Sequence, residues 1–241
     1  MGALDGRVAL VTGAGRLRGI GRATAVALAE MGADVVVTGT GRDPATFPED
    51  EKQAGWRDIE STAEQIHTHG RRALTWVGDV SRAEVVRSLV DLIMQTFGRV
   101  DVLVNNAAYP RGNDRVAVPD LDEAVWRKVL DIKLTGTFLL CQRIVPIMTH
   151  QQWGRIINFS SVFGKRGPLI PPHTARQISA FRALHKPWPW KWRVMASRST
   201  PCVREPSTLP AWTCSAVAWS GSSNWSAFPW DVRLPTKRWQ G

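Results

Sequence analysis

Residues Thr12-Gly13-Ala14-Gly15-Arg16-Leu17-Arg18-Gly19-Ile20-Gly21 follow directly on the apolar run RVALVT at 7–12 and lead into a helical stretch from about Gly21 to Met31. A strand that breaks at closely spaced glycines and restarts as a helix reads as the opening of a β-α-β unit. Glycine lets the backbone turn tightly and come close to a phosphate, which the helix N-terminus then binds through unpaired N–H groups and its dipole. Glycines also serve ordinary tight turns, so the nucleotide reading depends on whether the β-α pattern continues.

It continues for two-thirds of the chain. Strands are expected at 34–38, 73–78, 100–105 and 155–160, and helices at about 57–69, 82–97 and 121–150. Residues 39–56, polar and rich in Gly, Pro and Asp, read as a long loop. Strands alternating with helices of ten residues or more predict a parallel sheet with right-handed crossovers. Strand runs that are apolar without alternation fit a sheet covered on both faces. The fold class is α/β, a doubly wound parallel sheet complete only over the N-terminal two-thirds.

After residue 172 the order stops. Residues 173–241 hold eight of the 12 Trp and seven of the 15 Pro, with no helical or strand periodicity. They also hold 10 Lys and Arg against two acids, Glu205 and Asp231, so most of the net charge of +10 belongs to this part. The domain reading is therefore 1–172 for the α/β domain and 173–241 for an aberrant tail, expected to be disordered. A basic tail with interleaved Trp could bind single-stranded nucleic acid or a membrane surface. GC-rich codons read off-phase give the same Arg, Pro, Ser and Trp bias without any function, and that account is preferred.

Further motifs sit at the ends of the expected strands: Asp79-Val80 after the third, Asn105-Asn106-Ala107-Ala108 after the fourth, and Ser160-Ser161 after the fifth. Together with the glycine-rich turn, they resemble the short-chain dehydrogenase/reductase family. The turn resembles its TGxxxGIG fingerprint with two extra residues before Gly19-Ile20-Gly21, and the fourth-strand motif its NNAG with the last Gly replaced by Ala. The resemblance implies a Rossmann-like fold and oxidoreduction: hydride transfer between a nicotinamide cofactor and a carbonyl or secondary alcohol, such as a 3-oxoacyl thioester. It implies cofactor contacts from Thr12, Gly13, Gly15, Arg18, Gly19, Ile20, Gly21, Arg42, Asp79, Val80, Asn106, Ala107 and Ala108. It also implies that Ser161 is the catalytic serine. In DIKLTGTF, Lys133 stands where the family usually has Asn.

Two departures concern catalysis. The resemblance implies a Tyr about 13 residues after the Ser and a Lys four later, the Tyr to transfer a proton and the Lys to tune it. This chain has HTARQ there, with His173 and Gln177 near those positions, and its only tyrosine is Tyr109. Reading the tail's codons one base earlier explains much of this. STPCVREPST at 199–208 then permits N-A-V-C-P-G-A-V-D-T, like the family's NAxxPGxxxT loop, and a Tyr codon fits across the His173/Thr174 junction. PWPWKW permits L-A-L-E-V, and PWDV permits L-G-R. The Gln177/Ile178 junction permits Asn or Asp rather than the expected Lys. A single-base deletion near codons 165–173 accounts for the consistent phase. The chain as written is then expected to be a catalytically dead nucleotide-binding remnant of an enzyme.

Cofactor choice follows from the end of the second strand. An acid there accepts from the ribose hydroxyls of NAD, but the position falls on Gly39, with Arg42 nearby and Arg18 on the glycine-rich turn. Two guanidinium groups without an acid predict NADP(H) over NAD(H). Cys141, Cys202 and Cys214 show no metal-ligand spacing, so no metal is expected and a reducing compartment is. No leader peptide or membrane span is expected, which makes the cytoplasm the default location. The expected partners are a small carbonyl or alcohol substrate and, for an intact relative, a second copy meeting through the 121–150 helix. No nucleic acid or membrane partner is expected.

Overall fold

The structure, a computed structural model, describes residues 2–110, 112–114 and 116–159. Five strands form one sheet: β1 (Val8–Thr12), β2 (Asp34–Gly39), β3 (Ala73–Val77), β4 (Val102–Asn105) and β5 (Arg155–Asn158). Their order is β3-β2-β1-β4-β5, with β1 parallel to both β2 and β4, and β2 parallel to β3. The chain therefore winds outward one way from β1 and then reverses to β4. That reversal leaves a crevice beyond the carboxyl ends of β1 and β4, where open α/β sheets bind ligands.

The apolar runs dictate this layering. Every residue of β1 and β4 is buried, as are the inner four of β2. Such strands need cover on both faces, and the helices supply it. Helix α1 (Ile20–Glu30) buries Ala25, Leu28 and Ala29, and α4 (Ala83–Phe97) buries Val86, Leu89, Val90 and Ile93. Each large aliphatic side chain so covered contributes about 1.5–3 kcal/mol. Gly98 stops α4 in the left-handed conformation, with φ of 71°, and its N–H closes on the Met94 carbonyl.

Two expectations need correction. Residues 39–56 are not one loop. They fold into a 3-10 turn, Pro44–Thr46, and the short helix α2 (Glu49–Gln53), ahead of α3 (Ile59–His67). Three acids open α2, where the helix dipole favours them, and Glu51 among them is buried. The expected helix over 121–150 runs without a break from Glu123 to His150 but is not regular: a π-turn at Asp131–Thr135 separates α5 (Glu123–Leu130) from α6 (Gly136–His150). The wider turn comes just before Gly136, where a Cβ would stand 3.0 Å from Val80 Cγ2. A side chain at 136 would have to push Val80, in the turn after β3, aside by a few tenths of an ångström.

Candidate functional site

The turn after β1 is held open by its glycines. Gly13 has φ of +70°, and a Cβ there would stand 2.9 Å from Ala107 Cα. A Cβ on Gly21 would collide with the Gly13 carbonyl oxygen and lie 2.6 Å from Asn106 Nδ2. No side chain caps α1 at Gly19, so the first amides of that helix have no side-chain acceptor of the protein's own. Exposed helix N–H groups, the dipole and a backbone without side chains make a cradle that fits a pyrophosphate.

The neighbouring strand end locks this cradle. Thr12 Oγ1 accepts from the N–H groups of Asn106 and Ala107, at 3.1 and 3.0 Å, and donates to the Val104 carbonyl. Asn106 Nδ2 donates to the carbonyls of Thr12 and Gly13, both at 2.9 Å. The Asn106 side chain therefore shapes the turn, and it is engaged with the protein's own backbone.

The 40–58 segment closes over the same turn. Trp56 Nε1 donates to the Gly15 carbonyl at 2.5 Å, and Thr62 Oγ1 donates to the Ala14 carbonyl at 2.7 Å. Glu51, 3% exposed, accepts from the Leu17 N–H at 3.0 Å with one oxygen. Its other oxygen accepts from Arg42 Nη1 at 2.7 Å. Asp58 accepts from the Arg42 N–H and from its Nε and Nη2. Arg42 Nη2 also donates to the Gly15 carbonyl at 3.0 Å, and the guanidinium lies 4.5 Å over the Phe47 ring. The sequence reading leaves Arg42 open to a ligand, whereas here all of its nitrogens are engaged. Arg18, largely exposed, pairs with Asp50 at 2.8 Å.

The other expected residues line the far side. Asp79 accepts from the Ser81 N–H and hydroxyl and from Lys128 Nζ. Burial alone would raise its pKa, but Lys128 and Ser81 outweigh that and hold it below 3.8. Val80 is buried. Lys133 Nζ stands 3.5 Å from the Ala107 carbonyl, and burial pushes its pKa down to about 8. Ser160, Ser161 and His173 lie outside the described residues, as does the whole tail.

Sequence reasoning missed Glu51, Trp56 and Asp58. One signal was available: an arginine just past a strand end, followed within 16 positions by a buried-type Trp and several acids, which is the composition of an ion cluster.

The sequence profile described as short chain dehydrogenase matches residues 7–172. The chain is 37% identical over 167 residues to a 3-oxoacyl-[acyl-carrier-protein] reductase of Synechocystis sp., covering 69% of this chain and 60% of that protein. It spans about three-fifths of the length of the curated relatives it matches. Among solved structures, a short-chain dehydrogenase/reductase from Burkholderia xenovorans aligns with a TM-score of 0.64 at 33% identity, covering 77% of this chain and 66% of that one. Carveol dehydrogenase from Mycobacterium avium in complex with NAD aligns with a TM-score of 0.65 at 29% identity, covering 77% and 65%. The chain belongs to the short-chain dehydrogenase family. That family consists of NAD(P)-dependent oxidoreductases, and its Rossmann-like sheet is the one described above.

Proposed function

We propose that the protein encoded here is an oxidoreductase that moves hydride between a nicotinamide dinucleotide and a carbonyl or secondary alcohol. A 3-oxoacyl thioester is the substrate class suggested by the curated relatives. One observation carries the reading: the uncapped N-terminus of α1 and the glycine-built turn meet at the switch between β1 and β4. Bound there, a nicotinamide would supply or accept the hydride. Gly13, Gly15, Gly19, Ile20 and Gly21 would hold the pyrophosphate by backbone, and Thr12 and Asn106 fix the turn's shape. Ala107 and Ala108 would leave room beside it, and Asp79-Val80 would contact the adenine. Ser161 would orient the substrate oxygen.

The proton step favours a second reading for the chain as written. Its only tyrosine is Tyr109, and His173 and Gln177 stand where the family's Tyr and Lys are expected. An imidazole is shorter than a phenol, and here it has no lysine four residues on to tune it. A chain that binds dinucleotide without turning over substrate is the consequence. Assaying cofactor oxidation against a panel of ketones and 3-oxoacyl thioesters separates the readings. The chain with its reading frame restored should turn over, and the chain as written should stay at background while still binding dinucleotide. Turnover by the chain as written would refute the second reading. A restored chain that binds dinucleotide but reduces none of the panel would refute the first.

A further inference from the structure

The acid expected at the end of β2 is absent from position 39, yet a carboxylate lies next to that place, behind Ile59 Cγ2. A Cβ on Gly39 would stand 3.7 Å from Asp58 Oδ2 and 3.9 Å from Asp58 Oδ1. Asp58 reaches this place from the far end of the 40–58 segment at a cost. Its φ of 53° and ψ of −129° lie in a region that side chains avoid. It also occupies the N-cap position of α3 without capping it, although aspartate is among the best caps. A residue that accepts strain and forgoes a cap is held where it is by something else, and here that is Arg42.

Glu51 completes the arrangement. Its carboxylate accepts from the Leu17 N–H of the glycine-rich turn and from Arg42, the two kinds of donor that an anion on the adenosine ribose would use. The cluster of Arg42, Glu51 and Asp58 carries one positive and two negative formal charges. A 2′-phosphate brought here meets a net negative cluster whose guanidinium is already held by both carboxylates, whereas an uncharged ribose meets no such repulsion. We propose that Glu51 and Asp58, folded over the glycine-rich turn by the 40–58 segment, set this chain's choice toward NAD(H) and against NADP(H). The inference rests on the dinucleotide reading above and reverses the choice that the isolated arginines suggest.

The test is a fluorescence titration of the full chain with NADH and with NADPH, repeated on Glu51→Gln. The wild-type chain should bind NADH at least tenfold more tightly. Glu51→Gln keeps the size and an acceptor for Leu17 but removes one negative charge, and should narrow that ratio by about tenfold. Displacement of bound NADH from the wild-type chain by ADP and by 2′,5′-ADP gives a second measurement that needs no variant, and ADP should displace the better. NADPH binding as tight as NADH, 2′,5′-ADP displacing as well as ADP, or a ratio unmoved in a folded Glu51→Gln would overturn the inference and leave the oxidoreductase reading standing. Binding of neither dinucleotide would overturn both.

Discussion

Two buried ion clusters stand at opposite ends of the sheet, with inverted compositions. At the amino ends of β1 and β4, one acid serves several donors: Asp101, with no exposed surface, accepts from Arg7, Arg99 and the Val8 N–H. At the carboxyl end of β2, one arginine serves two acids, Arg42 between Glu51 and Asp58. The Asp101 backbone also belongs to the sheet, donating to Val8 and accepting from Arg155. The Arg42 cluster is tied instead to turn atoms, the Gly15 carbonyl and the Leu17 N–H. Ligands of open α/β sheets bind at the carboxyl ends. The same ionic chemistry thus staples strands at one end and, on the proposed reading, shapes a ligand surface at the other.

Removing the anchor should have the largest effect. Asp101→Ala leaves two arginines and a buried backbone N–H without their acceptor, and should cost about 3 kcal/mol in urea unfolding with the ratio of NADH to NADPH affinity unchanged. A changed ratio would mean that the two ends are not separate. The same residue sets a pH response. Burial would raise the Asp101 pKa, but Arg99, the Val8 N–H and Arg7 outweigh it and hold it below 3.8. A depressed carboxylate contributes stability above its unfolded pKa and loses it as pH falls through the folded value. Stability measured below pH 3.8 should therefore fall less steeply in Asp101→Asn than in the wild-type chain.

A smaller cost is expected at the other end. Asp58→Gly removes a partner of Arg42 but also relieves a positive φ, so the net loss should be about 1 kcal/mol by urea unfolding. Dinucleotide selectivity should move with it. A loss as large as that of Asp101→Ala would show that the Arg42 cluster anchors the fold as well.

A second pH response should come from Lys133, beside the crevice. Burial lowers its pKa from 10.5 to about 8, so the unfolded chain binds more protons between those values. Stability should then rise with pH over that window, the reverse of the usual lysine case. Lys133→Met should flatten the rise in a urea series. An unchanged slope would place its origin elsewhere.

What was legible in the sequence follows the same division. β1, β2 and β4 are readable because strands buried on both faces must be continuous apolar runs, and VALVT and VLVN are such runs. The glycine-rich turn is readable because close backbone approach leaves no substitute for glycine at Gly13 and Gly21. The segment at 40–58 is not, because α2 is EDEKQ and carries no apolar periodicity. It is held by ties to Arg42 and Leu17 and by two isolated buried aromatics, Phe47 and Trp56, rather than by a periodic apolar face. The π-turn escapes as well, since DIKLT continues a helical pattern and the close approach of Gly136 to Val80 is a tertiary fact.

The joint between Thr12 and Asn106 has a mechanical meaning. A single hydroxyl gathers two amides of one strand end and returns a hydrogen bond to the same strand, while a carboxamide grips the other strand end twice. The tips of β1 and β4 cannot shear past one another without breaking most of these bonds together. The floor of the crevice therefore behaves as one plate. A molecule landing on the β1 side and one landing on the β4 side meet a shared surface whose shape is fixed before either arrives, so the entropy of ordering that surface is charged to folding and not to either encounter.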